Sequence, residues 1–261
     1  MTTTIRPRRP PPPLRRAAVV SATPRSPRLT TITVAGPELV GLEPGQPAAS
    51  VRLLLPHHGE LVLPEWNGNE FLHADGARPH LRTLTPLRID AERGEVEVDI
   101  VLHGAGRMAT WAATAAAGDP VAISGTGRGY VVDPEASYLL AGDESALPAM
   151  TTILDALPAD ASTQVLVEVG DADAELELRG PSRLTVSWHR LPPGSPPGDA
   201  LVDAFVATPV AAGTRVWVAG EAASVQRIRR HLFDTLDVPR QECTVRGYWK
   251  HGRAGDDDDA G

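Results

Sequence analysis

The stretch YLLAGDESALPAMTTILDAL, residues 138–157, decides the fold. It opens on a short apolar run ending at Gly142, passes through two acids and a serine, and continues into a longer segment with no internal glycine. The spacing predicts a strand over 137–141 and a helix over 145–157. The same alternation continues downstream, with strands predicted over 163–169, 184–189, 214–219 and 242–248 and helices over 199–207 and 222–236. Strands and helices that alternate through short links imply a mainly parallel sheet with helices on both faces.

Upstream the rhythm is different. EVEVDIVLHG, residues 95–104, places Val96, Val98, Ile100 and Leu102 on one face and Glu95, Glu97 and Asp99 on the other. Leu29, Ile32 and Val34 lie in a β-branched run, and Val51, Leu53 and Leu55 alternate in another. Turn signals at Gly36-Pro37, Pro44-Gly45 and Arg93-Gly94 separate these runs, which suggests a small antiparallel barrel. One helix, AGRMATWAATAAA, interrupts it and stops at Gly118, and PVAISG (120–125) closes the set.

The expected organisation is a Pro/Arg-rich arm at 1–16 that does not fold, a barrel at 17–134, an α/β domain at 135–252 and an acidic tail at 253–261. No apolar run approaches the roughly 20 residues needed to cross a bilayer, and Ala17 to Val20 is too short for a signal-peptide core. A cytoplasmic protein is expected. Cys243 is the only cysteine, which excludes a disulfide within the chain and a thiolate metal cluster. The net charge is −8, but residues 1–30 carry seven arginines and no acid, so the remainder sums to −8 − 7 = −15. A body that acidic repels nucleic acid. His57-His58 is no metal site on this reading, because adjacent histidines in a turn are expected to point apart.

The order of short motifs carries the chemistry. Arg82-Thr83-Leu84-Thr85 is followed by Asp99 to Gly104, then Gly106 to Trp111 at a helix start. Leu140-Ala-Gly-Asp-Glu-Ser-Ala-Leu-Pro148, Val218-Ala-Gly-Glu-Ala222 and Gly247-Tyr-Trp-Lys250 come next. In that order they resemble the siderophore-interacting protein family, FAD-binding ferric-siderophore reductases of the ferredoxin-reductase-like superfamily, over roughly residues 17–252. The resemblance implies a six-stranded flavin-binding β-barrel before the α/β nucleotide-binding domain. It also implies electron transfer from NADH or NADPH through FAD to chelated Fe(III), with release of Fe(II).

Site residues follow from the motif match. Arg82 would fork onto the flavin phosphates, and Thr85 would offer its hydroxyl to the ring edge. Leu84 stands where the family has tyrosine and Leu87 where it has a second arginine, while Arg107-Met108 replaces Pro-Ala. Val101, His103, Gly106, Ala109 and Trp111 belong to the strand end and helix start expected to cradle the pyrophosphate. Gly142, Asp143, Ser145 and Ala146, with Gly220 and Glu221, lie past the two strands against which the nicotinamide cofactor would sit. The acids there also suit plain helix capping. His189-Arg190 favours a 2′-phosphate, whereas Glu168, Asp171 and Asp173 would reject one, so the choice of nicotinamide stays open. Tyr248 and Trp249 would shield the flavin face. Arg52, Arg128 and Lys250, the only lysine in the chain, would surround a ferric siderophore.

No side chain need act as nucleophile or general acid, and the only metal is the one the substrate brings. The implied partners are the siderophore and the nicotinamide, with no nucleic acid or membrane, and a monomer is expected. Two other functions fit the same scaffold. Leu84 and Leu87 make the pocket greasier, which would suit a biosynthetic enzyme whose flavin is structural or whose repurposed pocket binds an organic substrate, and the basic residues alone would suit a non-catalytic binder of iron chelates.

Overall fold

A computed structural model describes residues 11–102 and 106–252. Its first half is strand-rich: β1 (Leu14–Ser26), β2 (Leu29–Ala35), β3 (Val51–Leu54), β4 (Glu65–Trp66), β5 (Phe71–Leu72), β6 (Leu81–Leu84), β7 (Pro86–Asp90), β8 (Glu95–Val101) and β9 (Pro120–Ser124). Seven of these form one sheet in the order β6-β3-β9-β1-β2-β8-β7, with every pair antiparallel. β4 and β5 pair separately. The two edge strands, β6 and β7, are joined through Thr85 alone, so the sheet curls round on itself. The sheet has seven strands where six were expected, and the β7–β8 register slips between Pro86 and Arg88.

The alternation in β8 is the pleat it predicts. Val96, Val98 and Ile100 are buried with Ile32, Val34, Val51, Leu53, Val121 and Ile123 in the barrel core. Asp99, expected on the open face, is also buried, because Arg25 and Thr31 reach over it to bond its carboxylate at 2.5 Å each. Two other expectations change. Residues 14–16, assigned to an unfolded arm, begin β1, where they pair with Ser124, Ile123 and Ala122 of β9. Ladder bonds come from the backbone and so tolerate the arginines of that segment. The alanine-rich helix, α1, spans only Arg107–Ala112. Its expected last turn is drawn off by β1, since Val19 bonds to both Gly118 and Asp119, and this tertiary pairing overrides alanine's helix propensity.

The second half runs β10 (Tyr138–Asp143), α2 (Leu147–Ala156), β11 (Ser162–Val169), β12 (Arg183–Arg190), α3 (Asp199–Val206), β13 (Arg215–Glu221), α4 (Ala222–Arg230) and β14 (Cys243–Trp249). These strands form a parallel sheet in the order β12-β11-β10-β13-β14. Alternate residues of β10 feed opposite layers. Tyr138 and Leu140 pack with Met150, Ile153 and Leu154 of α2, while Leu139 and Ala141 pack with Leu201 and Phe205 of α3 and Val225 and Ile228 of α4. The helix expected over 222–236 ends at Arg230 as an α-helix and widens into a π-helical turn at His231–Thr235. Strand order reverses between β10 and β13, which places a crevice at their carboxyl ends.

Candidate functional site

That crevice begins at Gly142 and Asp143, the last residues of β10. A Cβ on Gly142 would lie 2.5 Å from both the Ala146 Cβ and the Ala219 carbonyl oxygen, so glycine is what lets the turn fold back over the sheet. Asp143 is buried and its carboxylate is saturated. Oδ1 accepts from the Ser145 amide (2.9 Å) and hydroxyl (2.5 Å), and Oδ2 accepts from the Glu221 amide and the Trp249 indole N–H, both at 2.8 Å. Burial raises the carboxyl above the ordinary aspartate value, and the four donors oppose that rise. One side chain thus ties together the ends of β10, β13 and β14. A Cβ on Gly220 would stand 2.6 Å from the same Oδ2, which explains the glycine there.

The other acids are spent on the scaffold in the same way. Glu221 caps α4 through the Ser224 amide (2.9 Å) and holds the His251 amide (3.2 Å), which fixes the chain beside Lys250. Glu144 accepts two bonds from Arg28 Nε (2.8 and 3.0 Å) and one from the Gly170 amide (3.1 Å), joining the barrel to the α/β half. Glu168 is buried and accepts from the Gly198 and Leu201 amides at the start of α3 (2.6 and 2.9 Å), and Asp171 caps its own turn. Of the three acids expected to repel a 2′-phosphate, Glu168 is engaged inside the fold, while Asp171 stays exposed in its turn with Asp173 beside it. His189 and Arg190 line an open pocket of about 460 Å³ with Trp188, Pro192, Ser195 and Asp199. Arg190 is paired there with Glu175, while the buried His189 Nε2 has no hydrogen-bond partner.

On the barrel side, Arg82 lies opposite Leu53 and Leu84 opposite Val51, so both share the face that carries the barrel core. Arg82 is half-buried and donates to the Leu81 carbonyl (2.9 Å). Leu84 packs against that core. Arg88 points elsewhere and pairs with Glu97 on the sheet surface (2.8 Å). Thr85 lies beside Tyr248 of β14, where the end of the parallel sheet meets the rim of the barrel. Tyr248 and Trp249 keep 37% and 39% of their surface exposed there. Neighbouring aromatic side chains left open beside a hydroxyl and an arginine strand are an unusual expense of apolar surface, and they suit a flat ring system.

Ala109 and Met108 of α1 are buried and Trp111 packs on the barrel core, so these side chains anchor the helix, while Gly106 (φ +90) starts it. Val101 is half-buried at the end of β8, opposite Leu29. His103 lies outside the described residues. Arg52 is on β3, and its amide donates to the Ser124 hydroxyl (2.8 Å). Its side chain belongs to the opposite face from Leu53, hence from Arg82. Arg128 is exposed just after Gly127, whose amide bonds the Ser50 carbonyl at the start of β3 (2.7 Å). Lys250 is exposed two residues beyond Tyr248.

Family models match both halves. One described as the siderophore-interacting FAD-binding domain covers residues 18–130, and one described as the siderophore-interacting protein covers residues 135–252. The chain belongs to the siderophore-interacting protein family. A solved siderophore utilization protein from T. fusca superposes with a TM-score of 0.82 at 34% identity, covering 93% of this chain and 95% of that one. An uncharacterised protein of Mycobacterium tuberculosis is 39% identical over 67% of each chain. The ferric vibriobactin reductase ViuB of Vibrio cholerae is 29% identical over 87% of this chain and 86% of its own. The fold is ferredoxin-reductase-like, as the motifs implied, and no helix among the described residues is long and apolar enough to cross a membrane.

The sequence did not reveal how the family's motifs interlock. Asp143, Trp249 and Glu221, met as separate motif members, form one bonded unit. No periodicity signals a pairing across 106 positions. The exposed rings of Tyr248 and Trp249 suit the flat isoalloxazine of the FAD that the family's FAD-binding domain takes.

Proposed function

We propose that this chain is a flavin-dependent reductase that passes electrons from NADH or NADPH to a ferric siderophore. The reading rests on the Arg28–Glu144 pair, which holds the barrel that carries Arg82 against the carboxyl edge of the sheet in a member of this family. FAD held there would accept a hydride and return electrons singly to chelated Fe(III), and this is chemistry the protein orients rather than performs. Arg82 would bind the phosphates, and the Gly106 start of α1 would place backbone amides beside them. Thr85 would hold the ring edge. Tyr248 and Trp249 would cover the ring face, with Trp249 kept in place by its bond to Asp143. The nicotinamide would enter over Gly142, Ser145, Ala146 and Gly220. Arg128 and Lys250, with Arg52 on the adjoining strand, would draw an anionic chelate toward a chain whose net charge is −8.

Leu84 supplies no ring to stack on the flavin, so affinity should rest heavily on Arg82. Arg82→Ala is expected to weaken FAD binding by about 1.5–3 kcal/mol, roughly 10- to 100-fold, the usual loss of a charged hydrogen bond. Flavin fluorescence quenching on titration into wild type and variant checks this. Equal affinities would remove Arg82 from the site.

A further inference from the structure

Away from the seam, the turn after β3 gathers histidines. His57 and Glu60 exchange backbone hydrogen bonds (2.8 and 3.0 Å), which leaves His58 and Gly59 as the centre of a two-residue turn with φ of +50° and +87°. Positive φ at both positions is the geometry of a tight hairpin turn, and it is uncommon for a residue with a side chain such as His58. It also overturns the expectation that the adjacent rings diverge, because their centroids lie 4.1 Å apart. Asp75, in the turn after β5, brings its carboxylate to 3.2 Å from His57 Nε2. One ligand atom from each of His57, His58 and Asp75 lies within 4.8 Å of the others.

A second observation comes from His73. It is 6% exposed, it stacks on His57 with centroids 4.1 Å apart, and neither of its ring nitrogens has a hydrogen-bond partner. That stacking holds the His57 ring from the buried side, with its Nε2 edge turned toward Asp75. We propose that His57, His58 and Asp75 bind a divalent transition-metal ion of the zinc class. Imidazole nitrogens with one carboxylate suit that class and disfavour magnesium or calcium, which take oxygen shells. The site would brace a loop whose two ends already meet α1, since Arg107 bonds the Pro56 carbonyl at 3.0 Å and also His80.

The test uses the full chain, stripped with chelator and titrated with Zn²⁺ by calorimetry, with Mg²⁺ as control. Wild type should bind one Zn²⁺ and no Mg²⁺, and its thermal midpoint should rise with Zn²⁺, as it must for a ligand held by the folded state. His58→Gln and Asp75→Asn, both at exposed positions, should weaken Zn²⁺ binding at least about 10- to 100-fold and leave the metal-free midpoint unchanged. Zn²⁺ uptake by a His57→Gln/His58→Gln chain equal to wild type, or uptake of Mg²⁺ as strong as Zn²⁺, would overturn the site and assign the binding to surface carboxylates.

Discussion

Asp143 combines a site's position with a scaffold's job. As the last residue of β10 in a nucleotide-type sheet it sits where ligands bind, yet its four hydrogen bonds all run to the protein. Asp143→Ala would leave an indole N–H, two amides and a hydroxyl without their acceptor in a buried place. A loss of about 3–5 kcal/mol is expected, by analogy with removing one member of a buried charged network. Urea unfolding measures it, and a loss below about 1 kcal/mol would mean that water replaces the carboxylate. Asp143→Asn should fall between, since one amide oxygen can still accept. At this scale the sequence conveyed identity but not partnership. Gly142 and Asp143 were legible as a strand-to-helix turn from the local pattern, whereas the reach of Trp249 to Asp143 depends on where β14 docks.

Among elements, the strands of the parallel sheet and the existence of its helices were readable, because each buries its apolar residues at its own period. What failed were endings and neighbours. Residues 14–16 read as part of an unfolded arm because composition says nothing of the β9 ladder waiting for them, and α1 stops short because β1 competes for the backbone of Gly118 and Asp119. The link between the halves was invisible for the same reason. Arg28, in the β1–β2 turn, forks onto Glu144 just after β10 across 116 positions. The arginine side chain is 35% exposed, so solvent screens the pair. Glu144→Ala is expected to cost about 2 kcal/mol and to lower the thermal midpoint by about 4–8 °C, read by calorimetry. An unchanged midpoint would show that the other contacts between the halves suffice.

The end of β12 makes a pH prediction. Burial holds the His189 imidazole below its ordinary value of 6.5, so the folded state favours the neutral ring. A depressed folded value means that stability is fully present above pH 6.5 and is lost as pH falls through the folded value. The stability gap between wild type and His189→Gln should therefore shrink steadily below pH 6.5, as followed by denaturant midpoints at stepped pH. A gap that widens on acidification would mean that the ring gains a proton and a partner in the fold.

For the whole molecule, the barrel and a parallel sheet in the order β12-β11-β10-β13-β14 meet along one seam, with Thr85 beside Tyr248 among its contacts. That architecture was implied by the order of motifs along the chain. The geometry of the seam was not, because it is set by the Arg28–Glu144 pair and by the hydrogen bond from the Ala48 amide to the Thr152 hydroxyl of α2 (2.9 Å), features with no local signature. The acidic body leaves Arg128 and Lys250 as exposed positive groups near that seam. The account stands or falls on electron flow through it. The decisive measurement is anaerobic stopped-flow of the FAD-loaded chain mixed with NADH or NADPH and then with a ferric chelate, with Fe(II) trapped by a colorimetric ligand. Bleaching of the flavin by one nicotinamide, followed by its recovery in step with Fe(II) formation, is the predicted result. Flavin that neither nicotinamide reduces, or reduced flavin that persists in the presence of ferric chelates, would contradict it.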